Sequence, residues 1–426
     1  MQSARSKEVD DSWSFRDLSR LQTSYITHDY HRYPAKFIPQ LASRVIKENS
    51  NVGDLICDPF VGSGTTLIEA IVNGRRAYGT DINPVSVLIS KAKTTLIDPL
   101  FLQQQASSLL AKIKSSIANR YGQMLLVTDN FDVKIPNHKR LDYWFPEEQK
   151  NDLATILSII NTIDDERVRI FSLCAFSNIL KGCSNWMTKS VKPTRDKRKI
   201  TADAYKSYVF QIRKMVVKNG HFWNMLARKD IPCVVDDNDA RKMKISNNSA
   251  TLIVTSPPYV TSYEYADLHQ LTAIWLGYAD SLSEFRSKFI GSIQKDNRLV
   301  KLYSKTGRET ADKLRSVDKR EADGVEQYFF EMQECFVEMH RVLKRCGKAA
   351  IVIGDTDLKK VEIQNANVFA ETMENIGFKT YKIIRRPIPS KILPLTRDEK
   401  TGRFASTSMA NRLAYPIENI LIMEKI

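Results

Sequence analysis

Asp54-Leu55-Ile56-Cys57-Asp58-Pro59-Phe60-Val61-Gly62-Ser63-Gly64-Thr65-Thr66 runs from a short apolar segment, through a glycine-punctuated turn, into a stretch with helical spacing at Leu67, Ile68, Ala70 and Ile71. Gly74 marks the end of that helix. Ala77-Tyr78-Gly79-Thr80 then makes a second short strand finishing at Asp81, and Pro84 opens another helix. Residues 54–93 therefore spell a β-α-β-α unit, whose strands are buried on both faces only in a parallel sheet covered by helices. The fold class expected is α/β.

Outward from this unit, the next strand-like runs come late. Ile231 to Val235, Thr251 to Thr255 and Ala349 to Ile353 are short, apolar and rich in β-branched residues, as buried parallel strands are. Lys379 to Arg385 and Asn419 to Ile426 read as a closing pair. The core is thus interrupted by insertions, and the chain divides into five stretches. Residues 1–94 hold the first part of the core. Residues 95–229 are a helical, basic insertion with helices expected at Asp152 to Ile163, Val168 to Leu180 and Ala202 to Val217. Residues 230–279 return to the core, residues 280–324 form a charged flap, and residues 325–426 complete the core around a basic loop at 385–412. Gln327 to Leu343 reads as an amphipathic helix closed by Lys344-Arg345-Cys346-Gly347.

At 426 residues the chain exceeds the size at which one core usually stops growing, and its 42% hydrophobic content excludes global disorder. The 64 Lys and Arg against 49 Asp and Glu leave +15, which favours polyanionic partners, nucleic acid before an anionic membrane surface. That charge is local: residues 181–229 hold thirteen Lys/Arg and two acids, Asp196 and Asp203. Lys189, Lys192, Arg195, Lys197, Arg198 and Lys199, with aromatic residues nearby, are the candidate DNA-binding residues. No apolar run is long enough to span a bilayer and no secretory signal opens the chain, so a cytoplasmic protein is expected, nucleoid-associated when on DNA. The six cysteines and six histidines are scattered, which points to reduced core thiols and no metal site.

The chemistry sits at strand ends. Gly62 and Gly64 let the backbone turn sharply and approach a ligand with no Cβ in the way. A dinucleotide fingerprint wants a further Gly where Leu67 stands, and a phosphate-binding P-loop wants Gly-Lys-Ser/Thr, so both are disfavoured. Asp81 ends the next strand, where a carboxylate accepts from the ribose hydroxyls of an adenosine-containing cofactor. Thr255-Ser256-Pro257-Pro258-Tyr259 directly follows another strand. Its prolines fix φ and remove two donors, leaving a stiff loop of acceptors suited to orienting an amine. Ser256 Oγ and the Pro257 carbonyl are the candidate acceptors, and Tyr259 the ring on which a base swung out of the duplex stacks.

Asp58 to Thr66 together with Ser256 to Tyr259 resembles the S-adenosylmethionine-dependent, amino-directed DNA methyltransferases, most of all those that modify cytosine N4. Four further segments resemble that family: His31-Arg32-Tyr33-Pro34-Ala35-Lys36-Phe37, Gly79-Thr80-Asp81-Ile82-Asn83-Pro84, Asp237-Asn238-Asp239-Ala240, and Val342 to Asp355. The resemblance implies a class I methyltransferase fold, a Rossmann-like mixed sheet with a large helical insertion. It implies S-adenosyl-L-methionine as cofactor, with Tyr33, Pro34 and Phe37 flanking its methionine part. Asp58, Pro59, Gly62, Ser63, Gly64 and Thr65 would form the loop around it, Asp81 with Ile82 and Asn83 the ribose site, and Asp239 the contact to the adenine amino group. Ser256, Pro257, Pro258 and Tyr259 would be catalytic. The implied partners are double-stranded DNA and, in a restriction-modification system, a cognate restriction endonuclease.

The cofactor half here precedes Ser256-Pro257-Pro258-Tyr259, whereas many relatives with a similar glycine loop run the other way. Three segments therefore compete as target-recognition region: 95–229, 280–324 and 385–412. Ser256 in the first motif position resembles cytosine-N4 enzymes, whereas Asp or Asn there would look like adenine-N6 enzymes. Other readings are an RNA guanine-N2 methyltransferase and a catalytically inactive nucleic-acid-binding protein. Pro232-Cys233 supplies the dipeptide a cytosine-C5 enzyme would need, but at the start of a strand, which points to a core cysteine.

Overall fold

The computed structural model describes residues 5–34, 36–120, 133–260, 265–291, 301–388, 396–397, 412–413 and 417–426. Six strands come first or carry the core motifs: β1 (Arg5–Val9), β2 (Leu55–Asp58), β3 (Arg76–Thr80), β4 (Cys233–Asp236), β5 (Ala250–Thr255) and β6 (Leu343–Ile353). A hairpin of β7 (Thr356–Leu358) and β8 (Val361–Ile363) precedes β9 (Phe378–Pro387). The two-residue β10 (Thr396–Arg397) and β11 (Arg412–Leu413) pair with each other before β12 (Ile417–Lys425). Eight strands form one sheet in the order β4-β3-β2-β5-β6-β12-β9-β1. Neighbours from β4 to β6 are parallel, and β12 lies antiparallel between β6 and β9. This is the α/β class read from the sequence and the Rossmann-like mixed sheet that the resemblance implied.

Alternation along the strands divides the side chains between two cores. Ile56, Leu252, Val254, Val352 and Ile420 face one cluster, beneath the helices Pro39–Asn49 and Thr65–Val72. Cys57, Ile253, Ile351, Leu421 and Met423 face the other, beneath Lys319–Val342 and Asn365–Ile376. A one-residue slip in register would exchange the two sets, so burial on both faces specifies the pairing. Each fully buried aliphatic side chain stabilises the fold by roughly 1.5–3 kcal/mol relative to exposure.

The insertion between β3 and β4 is helical: Pro99–Arg120, Glu147–Ile160, Glu166–Cys183 and Ala204–Met225 are its long helices. Ile113, Ile156, Phe176 and Tyr208 from these helices join one cluster with Val85 and Ile89 of the helix Pro84–Thr94 and Trp275 of Tyr265–Trp275. The insertion therefore buttresses the helix that follows β3.

Two details depart from the sequence reading. Arg5-Ser6-Lys7-Glu8-Val9, polar and mixed in charge, forms an edge strand beside β9, and charges on such a strand discourage further pairing. Lys344-Arg345-Cys346-Gly347 does not end a helix. The helix stops at Val342 and these residues open β6, with Cys346 in the left-handed region at φ 59°. A Cβ on Gly347 would stand 2.8 Å from the Lys344 carbonyl oxygen, so the irregularity in β6 needs glycine there. Of the charged flap, 292–300 lies outside the described residues; of the basic loop, 389–395 and 398–411 do. No helix among the described residues is long and apolar enough to cross a membrane.

Candidate functional site

From β2 the chain winds to β3 and β4 on one side, then returns to place β5 on the other side of β2. The carboxyl ends of β2 and β5 thus flank the switch point at which open α/β sheets bind ligands. Asp58 ends β2 and Thr255 ends β5; the Thr255 hydroxyl donates to Asp58 Oδ1 at 2.6 Å, and Phe60 N–H donates to the same oxygen at 3.1 Å. Burial pushes the Asp58 carboxyl up to about 6 against these hydrogen bonds.

The glycine loop is built around Asp81. Gly62 N–H donates to its Oδ2 and Asn83 N–H to its Oδ1, each at 2.9 Å, so both oxygens are oriented by backbone. Burial pushes this carboxyl up to about 6 as well, opposed by those two N–H groups. Gly62 at φ 47° and Gly64 at φ 78° occupy the left-handed region, and a Cβ on Gly64 would lie 3.2 Å from Ser90 Oγ. Ser90 in turn donates to the Gly62 carbonyl at 2.9 Å, tying the loop to the helix Pro84–Thr94. Asn83 caps that helix by accepting from Val85 N–H at 3.0 Å.

These elements enclose a cleft of ≈ 840 Å³, counting the part open to solvent. Tyr33, Phe37, Asp58, Pro59, Gly62, Ser63 and Thr65 line it. Asp81, Ile82, Asn83 and Asp239 line the side toward β3 and β4, and Ser256 and Pro258 the side toward β5. Most of the residues singled out from sequence therefore share one cavity. Pro34, Gly64, Pro257 and Tyr259 are not among its lining residues. Gly64 is buried against Ser90, Pro257 is buried, and Tyr259 is partly buried against the core that holds Tyr328. Burial, with Glu418 and Tyr265 nearby, raises the Tyr259 hydroxyl above its ordinary range; hydrogen bonds with the Gly354 backbone and the Ser256 side chain oppose that shift. The Pro258 carbonyl accepts from the Tyr328 hydroxyl at 2.7 Å, which fastens the Ser-Pro-Pro-Tyr loop to the helix Lys319–Val342.

The sequence reading missed several contributors. Lys36 lines the cleft and donates to the His28 carbonyl at 3.1 Å. Tyr265 enters from the helix after the Ser-Pro-Pro-Tyr loop, and Lys288, Phe289 and Ile290 from the flap. His269 stands behind the wall, with its ring centroid 5.0 Å from that of Tyr33 and its Nδ1 2.7 Å from Asn83 Nδ2. The Asn83 amide is the donor in that contact, so His269 accepts through Nδ1, and burial holds the ring neutral, down to about 4. Asp239 is gripped by Arg241, whose Nη2 lies 2.6 Å from Oδ2 and whose Nε reaches both oxygens. A motif search sees none of these, although the Asp-x-Arg spacing of Asp239 and Arg241 was a usable signal.

The basic stretch divides in two. Lys189, Lys192, Lys197 and Arg198 are exposed. Lys199 instead points inward and donates to the carbonyls of Lys181, Ser184 and Trp186 at 2.8, 2.6 and 2.8 Å, capping the end of the helix Glu166–Cys183. Arg195 places its guanidinium 4.3 Å from the Tyr143 ring centroid. Cys233 pairs in register with Ala77 at the start of β4, away from the cleft, and burial pushes its thiol up to about 12. Among the described residues, no group of three His, Cys, Asp or Glu is placed to hold a metal ion.

Residues 1–92 match the family model described as DNA methylase. Over 443 aligned residues the chain is 26% identical to the type II methyltransferase M.MvaI of Kocuria varians, covering 98% of this chain and 96% of that one. It is 23% identical to the type II methyltransferase M.BsoBI of Geobacillus stearothermophilus, covering 84% of this chain and 79% of the relative. A shorter match, 41% identical over 59 residues, covers 14% of this chain and 20% of the DNA adenine methyltransferase YhdJ of Escherichia coli strain K12. A glycine-loop cleft that also receives the Ser-Pro-Pro-Tyr loop, a DNA methylase match over residues 1–92 and a likeness to type II methyltransferases along almost the whole length together support an amino-directed DNA methyltransferase.

Proposed function

We propose that the chain transfers a methyl group from S-adenosylmethionine to the exocyclic N4 amine of a cytosine turned out of duplex DNA, as the modification activity of a restriction-modification system with a cognate endonuclease. One observation carries this reading: Ser256 and Pro258 line the same cleft as Asp58, Gly62 and Asp81, so an amine held by the first set stands beside a nucleoside cofactor held by the second.

The residues fit the cofactor. Asp81 is fixed by two backbone donors with its carboxylate on the cleft, suited to accepting from ribose hydroxyls. Three carboxylates, Asp58, Asp81 and Asp239, complement a ligand carrying ammonium and sulfonium charge, and Tyr33, Phe37 and Phe60 supply apolar surface. When bound, S-adenosylmethionine supplies a methyl group on positively charged sulfur. The Ser256 hydroxyl and the Pro257 carbonyl accept from the two N–H groups of the target amine and aim its nitrogen along the line of attack. Tyr259 stacks on the extruded base. Ser256 need not act as a strong base, because the alkylated nitrogen is itself acidic and releases its proton after transfer. Lys189, Lys192, Lys197 and Arg198 add to the electrostatic hold on the duplex.

The raised carboxyls give cofactor binding a pH dependence. In the cofactor-free protein Asp58 and Asp81 ionise near 6, above the ordinary carboxylate range, so keeping them charged costs stability as pH rises through that value. A cationic ligand prefers the ionised forms. Affinity measured by calorimetry should therefore rise between pH 5 and pH 7 and level off above; a flat profile would remove these carboxylates from the cofactor contact.

The reaction itself is tested by expressing the chain in a host lacking DNA methylation and digesting the DNA for mass spectrometry. N4-methylcytosine is expected. N6-methyladenine would transfer the reading to the chemistry named in the Escherichia coli relative, and unmodified DNA with an intact, cofactor-binding protein would overturn it.

A further inference from the structure

The helix Ala204–Met225 runs for 22 residues without an acidic side chain, while carrying Lys206, Arg213, Lys214 and Lys218. A merely solvated helix face usually interleaves both signs. Its buried side carries Tyr208, Ile212, Met215 and Phe222, with Gln211 and Asn219 donating to the Tyr30 and Ile97 carbonyls. Lys206, Phe210, Arg213 and Val217 follow one another at spacings of three or four and form the outward stripe, with Phe210 71% and Val217 57% exposed. The stripe borders a shallow groove also lined by Lys214 and Lys218. Residues 28–30 connect this helix to the candidate site: Lys214 pairs with Asp29 at 2.8 Å and Gln211 donates to the Tyr30 carbonyl at 2.6 Å, while Lys36, which lines the cleft, donates to the His28 carbonyl at 3.1 Å.

We infer that this helix face docks the phosphate backbone of duplex DNA beside the nucleotide that enters the cleft. The inference rests on the reading of the chain as a DNA methyltransferase and assigns it a surface. An enzyme that extrudes one base must hold the flanking strand close to the opening, and the cations that continue from the cleft wall lie on this helix. From Lys206 to Lys218 the helix covers roughly 18 Å at 1.5 Å per residue, about five nucleotides of one strand. Phe210 and Val217, set between the cations, offer apolar surface to the sugars between phosphates. An acidic protein would also answer the charge, but only DNA accounts for the continuity with a cleft that takes a base.

The test is fluorescence anisotropy of a labelled duplex across a salt series, using the full chain. Lys206→Gln, Arg213→Gln and Lys218→Gln combined should lower the slope of log affinity against log salt by about 2.7, at about 0.9 for each phosphate that the variant leaves unneutralised. Cofactor binding by calorimetry should stay unchanged. Arg213→Gln alone, at an exposed position, should lower the slope by about 0.9 and guards against misfolding of the triple variant. A parent that methylates and binds DNA while both variants keep its slope would overturn the surface alone. A parent that fails to bind the duplex would overturn the surface and the functional reading together.

Discussion

Asp81→Ala should weaken S-adenosylmethionine binding by on the order of a hundredfold or more while duplex binding persists. Each hydrogen bond to a charged group is worth about 1.5–3 kcal/mol, and two ribose hydroxyls lose their acceptor together. The structure adds a second cost. Asp81 also accepts from Gly62 N–H and Asn83 N–H, so its removal frees the glycine loop from the strand end that shapes it. Asp81→Asn separates the two effects: an amide oxygen still accepts one backbone bond, but its NH₂ faces the other donor. Its affinity should fall between those of the parent and Asp81→Ala. The measurement is isothermal calorimetry on protein whose folding has been checked by circular dichroism, and an unchanged affinity in Asp81→Ala would remove the ribose assignment.

The part of the molecule legible from sequence is the part in which local chemistry and global position coincide. Residues 54–94 show it: the apolar run Leu55-Ile56-Cys57, glycines where φ must be positive and a proline at a helix start each mean the same thing locally and in the fold. The cleft residues drawn from Asp58 to Thr65, Asp81 to Asn83 and Ser256 to Pro258 were legible because they occupy strand ends, where backbone geometry restricts residue choice. Phe289, Ile290 and Tyr265 were not. An aromatic or aliphatic side chain in an insertion carries no mark that distinguishes cleft wall from core, and only the folded path brings it there.

Charge was legible in sum and misleading in detail. The excess of Lys and Arg in 181–229 is real, yet Lys199 lies on three carbonyl oxygens and Lys181 donates to the Ser190 carbonyl at 2.8 Å. A charge run in sequence cannot tell an ammonium that caps a helix from one that meets phosphate. Arg5 to Val9 fails in the same way: its polarity suits an edge strand as well as a tail, and only pairing with β9 decides.

The Ser-Pro-Pro-Tyr loop carries the other large expectation. Ser256→Ala should retain cofactor and duplex affinity and lose turnover by about 10²-fold, the range seen when one fixed hydrogen-bonding group is removed from a reacting centre. Tyr259 needs two variants, because in this structure its hydroxyl is tied to the Ser256 side chain and the Gly354 backbone while its ring packs beside the core. Tyr259→Phe keeps the ring and drops those ties, whereas Tyr259→Ala drops both. If the ring stacks on the extruded base, alanine should cost about 1–3 kcal/mol of stacking, up to roughly a hundredfold in turnover, and phenylalanine should remain close to the parent. If the hydroxyl positions Ser256, phenylalanine should fall with alanine. Gly354 contributes to the same geometry, since a Cβ there would lie 3.7 Å from the Tyr259 ring and 3.8 Å from the Ile417 carbonyl. Cys233→Ala should stay active throughout, because direct attack by the amine forms no covalent enzyme intermediate. Single-turnover kinetics on a duplex substrate would read these effects separately from product release, and Ser256→Ala at parental rate would exclude the serine from orienting the amine.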